Sequence, residues 1–125
     1  ILTQMLCERW LATCDLQAHL ARLQEIYRQK CALMLDCIDR EFSPKVTHTT
    51  PQGGLFLWCT LPEGADMLDF CNRAGAEKVA VVPGVAFLAD ENAPCRSVRM
   101  NFSTPTDEAI VTGCQRLGRL TRELF

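Results

Sequence analysis

One arginine and a scatter of cysteines, histidines and lysines are the residues of this chain that could do chemistry. Arg99 lies in the run Val98-Arg99-Met100-Asn101-Phe102-Ser103. A planar guanidinium can pair both oxygens of a carboxylate at once, which fixes a ligand's orientation as well as its charge. On spacing alone, though, Arg99 reads as a surface arginine on a strand, paired with a nearby acid. The eight cysteines are Cys7, Cys14, Cys31, Cys37, Cys59, Cys71, Cys95 and Cys114, and no two form a C-x-x-C pair. Cys7 and Cys14 stand seven positions apart, a rise of about 10.5 Å on a helix, too far for two thiolates to share one zinc. Several cysteines fall on apolar stripes, where a thiol behaves as a small hydrophobe. Reduced core cysteines are therefore expected rather than a metal site or a disulfide framework, and with them a reducing compartment, the cytoplasm. His19 and His48 are isolated from the cysteines. His48 has no acid or nucleophile placed beside it in sequence and reads as a strand residue.

The elements that must position these residues follow from periodicity. Leu16, Leu20, Leu23, Tyr27, Cys31, Met34, Ile38 and Phe42 recur at steps of three and four, the spacing of one helix face. Asp15 can cap that helix and Ser43-Pro44 ends it. Residues 45–50 and 55–61 read as two strands of a hairpin around the turn Pro51-Gln52-Gly53-Gly54. The second run, Leu55-Phe56-Leu57-Trp58-Cys59-Thr60-Leu61, is apolar on both faces. It is predicted to be an interior strand covered by helices, with Phe56 and Trp58 as core aromatics. Asp66 can cap a short helix with Met67, Phe70, Cys71 and Ala74 inside. Val79–Val82 reads as a short buried strand ended by Pro83-Gly84, and residues 97–102 as a further strand. Thr104-Pro105-Thr106-Asp107 reads as a helix start with Thr104 as cap and Pro105 in the first turn. Ile110, Cys114, Leu117, Thr121 and Leu124 supply that helix's inner stripe. Three helices and about four strands imply an α/β (α+β) two-layer sandwich with a mostly antiparallel sheet. Residues 1–125 are expected to be a single domain, with residues 1–15 as a lead-in segment.

Composition narrows the partners. The 125 residues are 48% hydrophobic and 22% charged, with a net charge of −2. That balance suits a globular domain and lacks the positive field that holds phosphate backbones, so no nucleic acid is expected. No run reaches the roughly 20 apolar residues that cross a bilayer, so no membrane is expected either. The first ten residues lack the pattern of a signal peptide. The chain begins at Ile1 without a methionine, as a piece of a longer chain would.

Three motifs in order carry a resemblance. Pro51-Gln52-Gly53-Gly54-Leu55-Phe56-Leu57-Trp58, then Val82-Pro83-Gly84-Val85-Ala86-Phe87, then Val98-Arg99-Met100-Asn101-Phe102-Ser103 resemble the C-terminal (small) domain of class I/II aminotransferases. In those fold-type-I, pyridoxal-phosphate-dependent enzymes a P-x-G-G-x-F-x-W strand, a P-G-x-x-F loop and an R-L-x-F strand occur in this order. The spacings are similar to the subgroup of 2-aminoadipate, aromatic and multi-substrate aminotransferases, and the likeness runs from about Leu16 to Phe125. The resemblance implies that Arg99 binds the substrate's α-carboxylate, and that Gly84 and Asn101 line the active-site wall. It implies no catalytic, cofactor-binding or metal-binding residue here. The Schiff-base lysine and the pyridoxal 5'-phosphate site belong to a large domain N-terminal to this one, and Lys30, Lys45 and Lys78 match no such lysine. The parent chain is then expected to be a homodimer that moves an amino group between an amino acid and a 2-oxo acid, with this chain inactive alone. Two alternatives stand beside it: the aminotransferase-like sensing half of a bacterial transcription regulator, and a stand-alone α/β ligand-binding module.

Overall fold

The computed structural model describes all 125 residues. Helix α1 spans Leu2–Thr13 and α2 spans Leu16–Glu41; strands β1 (Thr47–His48) and β2 (Phe56–Thr60) follow. Helix α3 (Met67–Ala76), strand β3 (Val82–Pro83), a 3-10 turn at Gly84–Phe87, strand β4 (Ser97–Asn101) and helix α4 (Asp107–Leu124) complete the chain. The four strands form one fully antiparallel sheet in the order β1-β2-β4-β3. The α+β architecture is the one expected, with one helix more, because residues 2–13 of the lead-in segment are helical. None of α1's residues is buried.

Strand alternation decides which side of the sheet the helices cover. Leu57 and Cys59 of β2 and Val98 and Met100 of β4 point to one side and are buried. They meet Met34 and Ile38 of α2, Phe70 of α3, and Ile110, Cys114 and Leu117 of α4 in a single core. Phe56, Trp58 and Thr60 point the other way, as do Ser97, Arg99 and Asn101. Phe56 is 37% exposed, so β2 is an interior strand covered on one face only, and Phe56 and Trp58 are not core aromatics.

Capping fixes the helix starts. Asp15 accepts from the Ala18 N–H and Asp66 from the Asp69 N–H, each at 3.0 Å, satisfying amides that have no partner within the helix. For α4 the cap is Thr106, which accepts from Ala109 N–H at 3.2 Å, and not Thr104. Pro105 therefore precedes the cap instead of occupying the first turn. Helices α2 and α4 approach so closely that a Cβ on Gly118 would lie 2.4 Å from the Glu41 carbonyl oxygen. The Ser43 N–H beside this crossing donates to the Thr121 hydroxyl at 2.9 Å.

Two strands differ from expectation. Strand β1 shrinks to two residues. Strand β3 is shifted to Val82–Pro83, and Val82 is 38% exposed rather than buried. Pro83 lies on the sheet's edge, where its missing N–H costs no ladder bond.

Candidate functional site

Strand β4 sits between β2 and β3, and Arg99 sits at its middle, in register with Trp58 on one side and Val82 on the other. Because its neighbours Val98 and Met100 face the core, Arg99 is obliged to face the open side of the sheet. Its guanidinium carbon lies 3.9 Å from the centroid of the Phe56 ring and 4.4 Å from that of Phe87. Phe56 is the diagonal cross-strand neighbour from β2. Phe87 comes from the turn after β3, on the opposite flank of β4, and also meets Trp58 edge-on at 5.4 Å.

No acid faces this arginine. Arg28, Arg40, Arg73, Arg96 and Arg122 each pair with a carboxylate; Arg99, like Arg9 and Arg119, has neither an ion pair nor a side-chain hydrogen bond within the chain, and it alone stands against aromatic rings. The reading of Arg99 as a surface arginine tied to a nearby acid therefore fails. Arg99 is half-buried beside two aromatic rings, and an anion reaching it there would be attracted and weakly screened.

Gly84 shapes this face by close approach. It is buried, and a Cβ there would lie 2.6 Å from the Ser97 carbonyl oxygen and 2.7 Å from Cys95 Sγ. Its backbone does not take a left-handed conformation, so the glycine is needed for its close contact with β4. That contact presses the turn onto the strand and delivers Phe87 to Arg99. Asn101 shares Arg99's face, and its Oδ1 accepts from Ser103 N–H at 2.7 Å, Ser103 Oγ at 3.0 Å and Thr104 N–H at 3.0 Å. Asn101 thus fixes the turn by which the chain leaves the strand bearing Arg99.

The other chemically capable residues lie elsewhere. His48 does have an acid beside it: Nε2 is 2.7 Å from Asp39 Oδ1, an α2 residue that sequence order does not bring near. Burial opposes its charge, but the Thr49 carbonyl and the Asp39 carboxylate outweigh it, and the imidazole pKa is raised. This pair ties β1 to α2 on the helix side of the fold. Lys30 Nζ donates to the Pro105 carbonyl at 2.6 Å and meets Asp107 at 3.2 Å, while Lys45 and Lys78 are exposed. All eight cysteines are free, and Cys37, Cys59 and Cys114 are buried. Burial pushes the thiols of Cys59 and Cys114 up to about 12, which leaves them protonated and unreactive at neutral pH. No three His, Cys, Asp or Glu side chains are gathered as metal ligands.

Sequence reading missed the partnership of Phe56 and Phe87 with Arg99. The period-two alternation of β2 carried half of it, since Phe56 and Trp58 cannot share a face with the buried Leu57 and Cys59. Nothing local signalled that a turn some 12 residues before Arg99 would fold back across it.

No family model matches the chain. A 2-aminoadipate transaminase of Thermus thermophilus is 36% identical over 125 residues, all of this chain and 31% of that protein. An aromatic-amino-acid aminotransferase of Thermococcus litoralis is 32% identical over 121 residues, 97% of this chain and 29% of that protein. The crystal structure of an α-aminoadipate aminotransferase from Thermus thermophilus, complexed with N-(5'-phosphopyridoxyl)-L-leucine, superposes with a TM-score of 0.89 at 36% identity, over 97% of this chain and 31% of that one. The chain thus spans about a third of the length of the relatives it matches. Over that third, both sequence and fold are those of the small, C-terminal domain of the fold-type-I, pyridoxal-phosphate-dependent aminotransferases.

Proposed function

We propose that this chain is one domain, residues 1–125, of a cytoplasmic aminotransferase, and that Arg99 holds the α-carboxylate of its substrates while an amino group passes from an amino acid to a 2-oxo acid. The observation that carries this reading is the unpaired guanidinium of Arg99 on the open face of the sheet. An arginine left without an internal acid keeps its bidentate edge for an external carboxylate. Such a clamp fixes where the α-carbon stands, and geometry of this kind lowers a barrier by removing freedom before the reaction.

The three lysines of this chain do not fit a site that holds pyridoxal phosphate covalently, since Lys30 is engaged at α4 and the other two are exposed. The cofactor, when bound in the rest of the protein, supplies the electron sink for the reaction. What this chain contributes is the clamp and a wall around it: the turn at Gly84, the turn at Asn101, and the aromatic rings beside Arg99. A large domain covering the open face, and a second subunit completing a homodimer, are parts of the same proposal. The large domain is supported by the share of the relatives' length that this chain does not span, and a covering partner of either kind by the exposed apolar groups Phe56, Val82, Phe87 and Leu88.

Steady-state kinetics of the full-length protein test the reading. Arg99→Ala is expected to raise KM for both the amino acid and the 2-oxo acid about 100-fold or more, since each charge-assisted bond contributes roughly 1.5–3 kcal/mol. Arg99→Lys keeps the charge but not the fork and should fall between. Normal kinetics in Arg99→Ala would remove the residue from the site. Amino-acid binding without any turnover by the unmutated protein would favour the ligand-sensing alternative.

A further inference from the structure

We propose that Phe56 and Phe87 are positioning residues for Arg99: the two rings hold its guanidinium by cation–π contact, so that a carboxylate is received only along the guanidinium's N–H edge. This rests on the proposed role of Arg99 and goes beyond it by naming what orients the arginine.

Three observations lead here. The first is distance: the guanidinium carbon is 3.9 Å and 4.4 Å from the two ring centroids, well inside the roughly 6 Å over which the ring quadrupole attracts a cation. The second is exposure. Phe56 and Phe87 are 37% and 48% exposed, on the face that no helix of this chain covers, so burial in the core does not explain either ring's position. The third is what Arg99 lacks. A long side chain with no hydrogen bond and no ion pair would ordinarily sample many rotamers, and freezing it at the moment of binding would weaken affinity. The rings are the groups that hold it in advance. They come from opposite flanks of β4, one from β2 and one from the turn after β3.

Rings serve this purpose better than acids would. A carboxylate beside Arg99 would fix it equally well but would occupy the N–H groups that the substrate needs. An aromatic face attracts the cation through its π surface and leaves the in-plane donors free. A guanidinium held by ring faces keeps its N–H edge for a carboxylate, which is the geometry of the two parallel N–H···O bonds. Gly84 belongs to the same device, because only a residue without a Cβ lets the turn carrying Phe87 lie against Ser97.

The test uses the full-length protein loaded with its cofactor, with L-leucine as amino donor because it has a single carboxylate and reports on one clamp. L-2-Aminoadipate is run in parallel. Phe56→Leu and Phe87→Leu keep apolar bulk and remove the π face. Each is expected to raise KM about 3- to 10-fold, and the pair more than 10-fold, with kcat within about threefold of the parent value. Phe56→Tyr, which keeps the π face, should restore KM to within about twofold of the parent. Should the leucine variants fold poorly, site-specific replacement of Phe56 or Phe87 by phenylalanine bearing one, two or three fluorines keeps the shape and weakens the quadrupole stepwise. KM is then expected to rise at each step. A flat response across the fluorinated series, or leucine variants with parental KM while Arg99→Ala is impaired, would overturn the clamp and leave the role of Arg99 standing. Parental KM in Arg99→Ala itself would overturn both.

Discussion

At Gly84, Arg99 and His48 the local residue type is explained by what folds against it rather than by its sequence neighbours. Gly84 abuts the Ser97 carbonyl, so Gly84→Ala must displace backbone or open the turn. It is expected to destabilise the fold by about 1–3 kcal/mol, the usual cost of overpacking, and to lower Tm in thermal unfolding. His48 carries a pH signature. Its folded pKa is raised above the ordinary 6.5, so its stabilising contribution is complete below about pH 6.5 and is lost as pH rises through the folded value. Tm should therefore drift down as pH rises above about 6.5, and His48→Gln should flatten that drift. The effect is small, because Asp39 is largely exposed and exposed pairs contribute about 0.2–1 kcal/mol. Arg99 is legible in the sequence only through its motif context, since spacing alone suggests an acid partner. Its aromatic neighbours are hidden there because they arrive from two other elements.

Among the elements, the helices are the most legible. Period 3.6 and the caps at Asp15 and Asp66 place α2 and α3 almost to the residue, because a cap and a proline are local signals. The short strands are less so. Strand β1 keeps two residues of the six expected, and β3 is shifted to include Pro83, since strand limits depend on partners rather than on the strand's own residues. The apolar stripe of α2 reads in sequence as one continuous buried face, yet only its C-terminal half packs. Leu16 and Leu20 are 38% and 40% exposed, and residues such as Leu20, Tyr27 and Leu35 line a groove of about 620 Å³ beside the hairpin turn. Two glycines of α4 separate packing from propensity. Gly118→Ala should destabilise by about 2 kcal/mol or more, because its Cβ would strike the Glu41 backbone. Gly113→Ala has ordinary contact with Val79 at 3.8 Å and should stabilise by about 0.5–1 kcal/mol, the gain of alanine over glycine within a helix. Chemical denaturation of both variants checks the pair. A midpoint in Gly118→Ala that is unchanged or raised would contradict the close α2–α4 crossing.

For the whole molecule, the sheet is closed on one side by helices and open on the other, and α1 has no buried residue. Ile1, Leu2, Met5, Leu6 and Leu11 are each more than half exposed. Such apolar surface marks a site of association. The isolated 125-residue chain is accordingly expected to self-associate in sedimentation experiments, and a clean monomer at high concentration would speak against the proposed covering domain. Mixed with limiting pyridoxal phosphate, the isolated chain should show no single preferred lysine adduct by mass spectrometry after reduction, since Lys30 is tied to α4 and Lys45 and Lys78, exposed alike, are offered no binding site that would favour one of them. The most direct measurement of the central claim is an equilibrium titration of the cofactor-loaded, full-length protein with L-leucine, followed by the cofactor's absorbance, for the parent and for Arg99→Ala. The clamp requires that the variant keep the parent's cofactor spectrum before titration while its half-saturating L-leucine concentration rises about 100-fold or more. An unchanged half-saturation in a variant with full cofactor would contradict it.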